Sequence, residues 1–509
     1  MTMNKVHNWR TAVFSDLGIL ILLALVKILL HTLTNNQYGF HRDELDMIDS
    51  ARHLDWSYVA YPPVTPFIAW LELKLFGPSL VGLRFFASVA MGAVMVLAGL
   101  MAGELGGSRP AKIVAALAAG IVPMALVEGS LFHYSSFDYL WWVLIAYLTI
   151  RLLKTENPRW WLITGVVIGL GMMTKYTFLF IITGLASGIL ITQNRRYLAS
   201  PWLWAGVGLS LLIFLPNIIW QAQHGFISLE FSGSIHARDV QIGRANDFLI
   251  FQLLNCANPF TIPLWVAGLY YFLAAADGKP YRLLGWMYVV PLLLFILTRG
   301  RGYYLAPAYP MLFASGAVFG EKWLASLANG NACLVKWIIY TSLAAGAIFG
   351  IVLCLPIAPV NSSLWEVSSR INGEIKEEIG WPELVVTVAH IYATLPAEEK
   401  SQTGIYVNNY GEAGAINLYG PAYGLPEAIS GINSYWLRGY GNPPPQTLII
   451  LGTTYQDVYP YFETCKVAGH VTNRYGVSNE ETTKHPAIFV CRGPLQPWPE
   501  LWPKIRQFG

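Results

Sequence analysis

Long apolar stretches recur from the N-terminal region to about residue 356, and they constrain the fold more than any other feature of the sequence. Residues 17–33, 83–105 and 202–220 each approach or reach the roughly 20 residues that an α-helix needs to cross a membrane. The chain is 54% hydrophobic and 12% charged, a composition too apolar for a soluble enzyme. The sequence therefore predicts an α-helical polytopic membrane protein.

About eleven membrane-spanning helices are predicted. They cover residues 17–33, 80–103, 111–127, 135–153, 160–173, 176–192, 202–219, 251–275, 283–298, 304–320 and 337–356. The first apolar stretch is long and is not followed by a small-residue cleavage site, so we expect a retained span and not a signal peptide.

The distribution of basic residues predicts which loops face the cytoplasm. Lys and Arg favour cytoplasmic loops, and they accumulate in alternate loops of this arrangement, with Lys5 and Arg10 ahead of the first span. The N-terminus is therefore predicted to be cytoplasmic, and an odd number of spans places the chain after residue 356 on the outer side. If the two short spans around Lys175 were one span, every later loop would change sides of the membrane. The basic residues at 195–196 would then lie outside, against the pattern.

The segment between the first two spans, residues 34–78, is predicted to lie on the outer side. Apolar residues at helical spacing predict a helix at 44–56, and a proline-rich break at 61–66 ends it. A second short helix is predicted at 67–76. Both helices are expected to lie along the membrane interface.

The composition changes after residue 356, where charge, Asn, Gly and Pro increase. We predict a transmembrane domain at 1–356 and an extracytoplasmic domain at 357–509 with a small α/β fold. The predicted elements are a helix at 374–395 and strands at 404–407, 447–451, 466–471 and 487–491. Cys465 and Cys491 could form a disulfide if this domain lies in an oxidising compartment.

Charged residues gather where the chain leaves its first span, as Arg42, Asp43 and Glu44 with Asp46 close behind. Ionisable groups at a membrane boundary must be solvated, paired or used in chemistry. Asp43 and Glu44 are adjacent and point in different directions, so we expect one to act while the other orients it or pairs with Arg42. Asp43 is the predicted base, since a carboxylate can take a proton from an attacking hydroxyl. The alternative is an acidic cluster that complements the dipole of the following helix.

Basic residues on the predicted outer side are the other informative group. Arg299 and Arg301 are flanked by glycines and followed by Tyr303 and Tyr304, a pattern that favours a phosphate-binding site because guanidinium groups match phosphate oxygens. Lipid head groups are an alternative anion. Lys175 could be an interfacial anchor or a cation that faces an anionic ligand.

Asp138 begins an aromatic-rich apolar run, where a carboxylate is costly without a partner. It is predicted to support the site, and a helix cap is the alternative. His41, Glu44 and His53 are candidate ligands for a divalent metal ion, although their spacing is not of the zinc type. No cofactor is certain, and the small net charge of +3 without a long basic run excludes nucleic acid as a partner.

Five motifs, in this order, carry a resemblance to a known family. They are Arg42-Asp43-Glu44-Leu45, Tyr61-Pro62-Pro63, Ser136-Phe137-Asp138, Thr174-Lys175-Tyr176-Thr177 and the stretch from Arg301 to Pro310. Together they resemble the GT-C glycosyltransferases of the protein mannosyltransferase and aminoarabinose transferase type, which are glycosyltransferase family 39-like. The resemblance covers about residues 1–356.

The resemblance implies an inverting transferase that moves a sugar from a polyprenyl phosphate to an acceptor on the outer face of the bacterial cytoplasmic membrane. It places Asp43 as the first-loop base with Glu44 beside it. Arg301 and Tyr304 match the motif near the lipid phosphate. Lys175, as a phosphate-binding residue, and Asp138, as a supporting residue, match the family less sharply. Tyr61 departs from the family, because relatives often have a lysine at this position. Arg299 could supply the contact that this lysine would make.

Two other functions remain open at this point. A transporter or flippase of a lipid-linked sugar would also use outer arginines and membrane carboxylates, but it needs midplane sites, often in two related halves. The ionisable groups cluster on one face without an internal repeat, which favours the enzyme. A non-catalytic scaffold is the third reading. The expected partners are the donor, membrane lipids and a lipid, glycan or protein acceptor.

Overall fold

A computed structural model describes residues 15–509, so the predicted cytoplasmic residues Lys5 and Arg10 lie outside the described part. The chain divides into two compact units. The helical unit comprises the described residues up to Asn35, Arg84–Ala222 and His236–Leu355. The mixed unit comprises Asn36–Leu83, Gln223–Ile235 and Pro356–Gly509. The first predicted outer loop thus belongs to the same unit as the C-terminal region.

The helical unit is built from apolar helices joined by short turns. Its helices are Asp16–Thr34, Phe85–Glu104, Arg109–Gly120, Pro123–Ser130, Tyr134–Thr155, Trp160–Met172, Leu179–Ile191, Pro201–Gln223, Phe248–Phe251, Ile262–Leu273, Arg282–Leu297, Tyr309–Ala325 and Asn329–Cys354, and Ile227–Gln241 begins in the mixed unit and ends here. Among residues 15–509, six helices are long and apolar enough to cross a membrane, or nine if each of three bent pairs is one span.

Each predicted span corresponds to one of these helices or bent pairs, but two are shorter than a full span. Trp160–Met172 has 13 residues and Tyr309–Ala325 has 17 residues. At 1.5 Å per residue they extend about 20 Å and 25 Å, less than the roughly 30 Å of a hydrocarbon core. The sequence shows where the apolar stretches are, whereas the length of each helix decides whether it can cross the membrane.

A buried lysine stabilises one of the three bends. The helices Arg109–Gly120 and Pro123–Ser130 meet at 62°. Lys27 Nζ donates hydrogen bonds to the carbonyl oxygens of Gly120 at 2.9 Å and Ala125 at 3.2 Å. The end of the Arg109–Gly120 helix leaves its last carbonyls without intrahelical partners, and the lysine from the first helix satisfies that of Gly120.

The mixed unit contains a five-stranded sheet. Its strands are β1 (Thr403–Val407), β2 (Ala428–Ile429), β3 (Thr447–Leu451), β4 (Phe462–His470) and β5 (Ala487–Pro494), in the order β2-β1-β3-β5-β4. The β1 strand pairs in parallel with β2 and β3, while β5 is antiparallel to β3 and β4. The small α/β domain predicted from the sequence is confirmed, and the two-residue β2 was not predicted.

The mixed unit also contains eleven complete α-helices among the described residues. They are Arg42–Arg52, Val64–Phe76, Leu80–Leu83, Ser363–Ile371, Trp381–Thr394, Ala397–Lys400, Tyr410–Tyr419, Asn433–Trp436, Tyr455–Val458, Glu480–Thr483 and Trp498–Leu501. The helix predicted at 374–395 is divided, since a 3₁₀ turn at Gly373–Glu378 precedes Trp381–Thr394.

The two first-loop helices have different surroundings. All residues from Glu44 to Ala51 are buried, so the apolar residues of the Arg42–Arg52 helix pack inside the mixed unit and do not face a membrane surface. The Val64–Phe76 helix exposes Phe67, Leu71 and Leu75 at a spacing of four residues. This apolar stripe fits the predicted position at a membrane interface.

A disulfide joins Cys465 and Cys491, which are directly paired across β4 and β5. The bond closes a loop with a sequence separation of 26 residues. A crosslink of this length restricts the unfolded chain and stabilises the folded one by about 3 kcal/mol.

Replacing both Cys465 and Cys491 with serine is therefore expected to lower the melting temperature of the purified protein. The buried Cys256 and Cys354 are not disulfide-bonded, and Cys256→Ser provides a matched control. An unchanged melting temperature in the double variant would show that the crosslink contributes nothing to stability.

Candidate functional site

The N-terminus of the Arg42–Arg52 helix carries the predicted base. His41 is the N-cap residue, and its Nδ1 accepts a hydrogen bond from the backbone N–H of Asp43 at 3.1 Å. In return Glu44 Oε2 accepts from the backbone N–H of His41 at 2.9 Å. This reciprocal arrangement is a capping box. Glu44 is fully buried, so its side chain fixes the helix start on which Asp43 stands.

Asp43 is the carboxylate of this helix that solvent can reach. Its side chain is 29% exposed, whereas Asp46 is 7% and Asp49 is 1% exposed. Asp43 Oδ1 accepts a hydrogen bond from Tyr410 Oη at 2.8 Å. The sequence predicted that Arg42 could pair with an adjacent carboxylate. In the structure its closest ion pair is with Glu480, at 2.7 Å.

Close packing of two helices brings Tyr410 to Asp43. A Cβ added at Gly414 would lie 2.6 Å from the carbonyl oxygen of Leu45, and one added at Gly411 would lie 2.6 Å from Cβ of Arg42. The Tyr410–Tyr419 helix can therefore approach the Arg42–Arg52 helix at these positions only because they are glycines. The glycines of this segment thus hold the tyrosine against the predicted base.

The other two carboxylates of the helix are held by buried partners. Tyr61 Oη donates to Asp46 Oδ2 and also contacts Ser50 Oγ at 3.0 Å. Asp49 forms an ion pair with Arg438 and accepts a hydrogen bond from Asn417 Nδ2 at 2.7 Å. Tyr61 therefore orients a carboxyl within the mixed unit.

Burial raises the pKa of Asp46 to about 7, although the hydrogen bond from Tyr61 opposes the shift. A carboxyl with a raised folded-state pKa contributes stability below its unfolded-state pKa, and that stability is lost as the pH rises to about 7. Asp46→Asn keeps an acceptor for Tyr61 and cannot ionise. We expect this variant to be increasingly more stable than the wild type from pH 4 to pH 7.5, by at most about 4 kcal/mol. Melting curves of both proteins across this range test it, and a pH-independent difference would contradict it.

The structure does not gather the candidate metal ligands. Glu44 and the His41 ring take part in the capping box, and His41 Nε2 also contacts Glu374 Oε2 at 2.9 Å. His53 Nδ1 contacts the carbonyl oxygen of Asp49 at 2.9 Å. Within residues 15–509, no group of three or more His, Cys, Asp and Glu side chains is arranged to hold a metal ion.

A second cluster lies in the helical unit around Lys175. The Lys175 side chain is buried, its Nζ donates to Ser135 Oγ at 2.9 Å and lies 3.7 Å from Asp138 Oδ2. Asp138 is not a helix cap, because the Tyr134–Thr155 helix is capped by His133. A buried ammonium in this position is unlike an interfacial anchor, whose charged end reaches water.

Three tyrosine rings surround the Lys175 ammonium. Nζ lies 4.4 Å from the ring centre of Tyr304, 5.0 Å from that of Tyr303 and 5.2 Å from that of Tyr134. These distances are in the range of cation–π interactions. The tyrosines predicted beside the phosphate site therefore contact the predicted cation directly.

Arg301 belongs to a group of arginines around one carboxylate. Its Nε donates to Asp239 Oδ2 at 2.5 Å, and Arg238 and Arg244 lie 3.8 Å and 3.6 Å from Asp239 Oδ1. Three guanidinium groups around one carboxylate leave an excess of positive charge. Anions are attracted to such a group.

The loop that carries Arg301, Tyr303 and Tyr304 is fixed from a neighbouring π-helical turn. Gln252 Nε2 donates to the carbonyl oxygen of Gly302 at 2.7 Å. A Cβ at Gly302 would lie 2.7 Å from the Phe251 ring, so this position needs glycine. Arg299 is exposed, with φ +50°, and residues 15–509 provide it with no ion pair.

The residues that sequence reasoning missed are mostly partners from distant segments. In the mixed unit they are Tyr410, Glu374, Asn417 and Arg438, and in the helical unit Tyr134, Ser135, Arg238, Asp239 and Arg244. One signal was available, since four arginines and two aspartates fall within residues 236–247 and 299–301 of the predicted outer loops. The tyrosine at 410 carried no such signal.

Comparison with known proteins gives matches in sequence. A family model described as dolichyl-phosphate-mannose-protein mannosyltransferase matches residues 60–220. The lipopolysaccharide core galacturonosyltransferase RgtB of Rhizobium johnstonii is 26% identical over 186 residues, 35% of this chain and 37% of that protein. The chain thus spans less than half the length of the curated relatives it matches.

Solved structures match over more of the chain. ArnT from Cupriavidus metallidurans, in a crystal structure bound to undecaprenyl phosphate, has a TM-score of 0.58 at 13% identity and covers 93% of this chain and 98% of that one. The oligosaccharyltransferase AglB from Archaeoglobus fulgidus, in complex with an inhibitory peptide and a dolichol-phosphate, has a TM-score of 0.51 at 12% identity, covering 86% and 69%. At these identities the likeness concerns the fold.

The long apolar helices, the small C-terminal sheet and the structural matches define a helical membrane protein with a GT-C fold, as predicted. In sequence the chain is similar to the protein mannosyltransferase family over residues 60–220 and, more distantly, to the galacturonosyltransferases. In fold it is similar to ArnT.

Proposed function

We propose that this protein is an inverting glycosyltransferase that takes a hexosyl or pentosyl group from a polyprenyl-phosphate-linked donor. The acceptor is a lipid, glycan or protein on the outer face of the bacterial cytoplasmic membrane. The observation that carries the proposal is Asp43, a partly exposed carboxylate fixed at a helix N-terminus by Tyr410 and a capping box. The undecaprenyl phosphate bound by ArnT supports a donor of this chemical class.

Asp43 supplies the base. Its partly exposed carboxylate accepts the proton of the acceptor hydroxyl as the hydroxyl oxygen attacks the anomeric carbon of the donor sugar. The bond from that carbon to the phosphate oxygen breaks on the opposite face, which inverts the configuration. A positioned base of this kind contributes about 10²–10⁴-fold to the rate.

The cations of the helical unit supply the second requirement of the reaction. As the sugar leaves, charge grows on the phosphate oxygens, and fixed positive groups stabilise it. Arg301 with its neighbouring arginines and Lys175 with its tyrosines are such groups. They lie among apolar helices, where the isoprenoid tail of the donor can remain in lipid.

The test is sugar transfer by the purified protein. A radiolabelled sugar on polyprenyl phosphate is incubated with the protein and a membrane extract that supplies acceptors, with and without a chelator. We expect a labelled product, whose identity defines the acceptor class. Donor binding without transfer would contradict the proposal, and movement of the intact labelled donor between leaflets of a vesicle would establish a flippase instead.

A further inference from the structure

The mixed unit contains a polar cavity that the proposed reaction does not use. Its volume is about 150 Å³, and its walls include Asn408, Asn409, Glu412, Glu480, Glu481 and His485. A buried water needs about 10–15 Å³ of such space. The cavity therefore has room for an ion together with several waters.

Two buried carboxylates of the cavity wall have oxygens without a hydrogen-bond partner among the described residues. Glu412 is 1% and Glu481 is 4% exposed. Within residues 15–509, Oε2 of Glu412, both carboxylate oxygens of Glu481 and Nδ1 of His485 have no hydrogen-bond partner. An unpaired buried carboxylate costs several kcal/mol, and buried charges are normally paired or coordinate metals. The third acidic residue of the wall, Glu480, differs because it is paired with Arg42 and Lys484.

The backbone is shaped to leave this space open. Gly452 has φ +75°, and a Cβ there would lie 2.3 Å from Glu412 Oε2. Any other residue would push a side chain against the unpartnered carboxylate oxygen. The glycine thus preserves a place beside Glu412 that a ligand can occupy.

We propose that this cavity binds a hard divalent cation, with Ca²⁺ as its best occupant, through the carboxylates of Glu412 and Glu481. Ca²⁺ takes six to eight oxygen ligands in flexible geometry and accepts waters among them. That tolerance matters here, because no group of three acidic, His or Cys side chains within residues 15–509 is gathered closely enough to hold an ion. Water and the amide oxygens of the wall complete the shell.

The cation has a structural consequence beyond the cavity. Glu412 lies in the first turn of the Tyr410–Tyr419 helix, two residues from the tyrosine that donates to Asp43. Arg42 joins Glu480 of the cavity wall to the start of the Arg42–Arg52 helix. Cation binding would therefore order the segments 408–412 and 480–485, whether or not the protein transfers a sugar.

The test compares the full-length purified wild type with Glu412→Gln and Glu481→Gln, using CaCl₂ after removal of metal by EDTA. Glu398→Gln is the matched control, since this glutamate is exposed in the same unit. Wild type and control are expected to bind about one ⁴⁵Ca²⁺ per chain, with a dissociation constant near 10⁻⁴ M as in extracellular modules. Their melting temperature should rise by at least about 2 °C at 5 mM CaCl₂. Each cavity variant should lose at least tenfold in affinity and show no rise.

In EDTA the two cavity variants should melt no lower than the wild type, because an amide of nearly the same shape replaces a buried carboxyl whose ionisation burial opposes. Hydrogen exchange of the wild type gives a test that needs no variant, with Ca²⁺-dependent protection expected at 408–412 and 480–485. Absence of ⁴⁵Ca²⁺ binding, binding unchanged in both variants, or protection elsewhere only would overturn the proposal.

Discussion

Replacing Asp43 with asparagine is expected to lower the rate of sugar transfer by about 10²–10⁴-fold. Asparagine has nearly the same shape and can still accept the hydrogen bond from Tyr410, which is 2.8 Å long in the wild type. It cannot take a proton from the acceptor hydroxyl at neutral pH. Donor binding should be nearly unchanged, because the predicted phosphate ligands belong to other segments. Transfer from the radiolabelled donor, together with equilibrium binding of that donor, measures both quantities.

Asp55→Asn is the control for this experiment. Asp55 is an exposed carboxylate of the same loop whose Oδ1 accepts from the backbone N–H of Trp56. It should retain the wild-type rate. If Asp43→Asn also transfers sugar at that rate, Asp43 has no part in the mechanism. A lost rate that accompanies a lower melting temperature would indicate a structural role instead.

The architecture was predictable where local pattern decides it. Each predicted span coincides with an apolar helix or bent helix pair, and strand-length apolar runs after residue 356 located four of the five strands. The features that were not predicted depend on contacts between distant parts of the chain. The Arg42–Arg52 helix has an amphipathic pattern, but its apolar residues are enclosed by the mixed unit. The bend at Gly120–Pro123 depends on Lys27, which is 93 residues away from the carbonyl it contacts.

The site divides in the same way. Positive charge on the predicted outer side identified Arg301 and Lys175 as unusual, and the gathering of ionisable groups at a membrane boundary identified Asp43. The structure gives Arg301 and Lys175 ionic partners. The sequence could not show that Glu44 is a capping residue, because that role depends on the turn at His41. Nor could it find Tyr410, which lies 367 residues from Asp43. Residues separated this far are brought together by helix packing, on which local sequence carries no information.

The variant Lys175→Met is expected to weaken binding of polyprenyl phosphate by about 10- to 100-fold, since a hydrogen bond to a charged group contributes about 1.5–3 kcal/mol. Methionine preserves most of the length and apolar contact of the lysine stem. The single change leaves Asp138 buried without its cation, and breaking a buried ion pair is strongly destabilising. The double variant Asp138→Asn/Lys175→Met removes both charges and should fold better while binding donor equally weakly.

Polyprenol, which has the same tail without the phosphate, separates charge from packing. If Lys175 acts on the phosphate, wild type and both variants bind polyprenol alike and differ only toward polyprenyl phosphate. Lys322→Met is the control, because Lys322 is an exposed lysine of the helical unit that pairs with Asp277. Equal losses toward both lipids would mean that Lys175 holds the tyrosines in place and does not meet the phosphate. The buried ammonium among three tyrosine rings leads us to expect the first result, because an anionic oxygen is the ligand that an ammonium in an apolar unit can stabilise most.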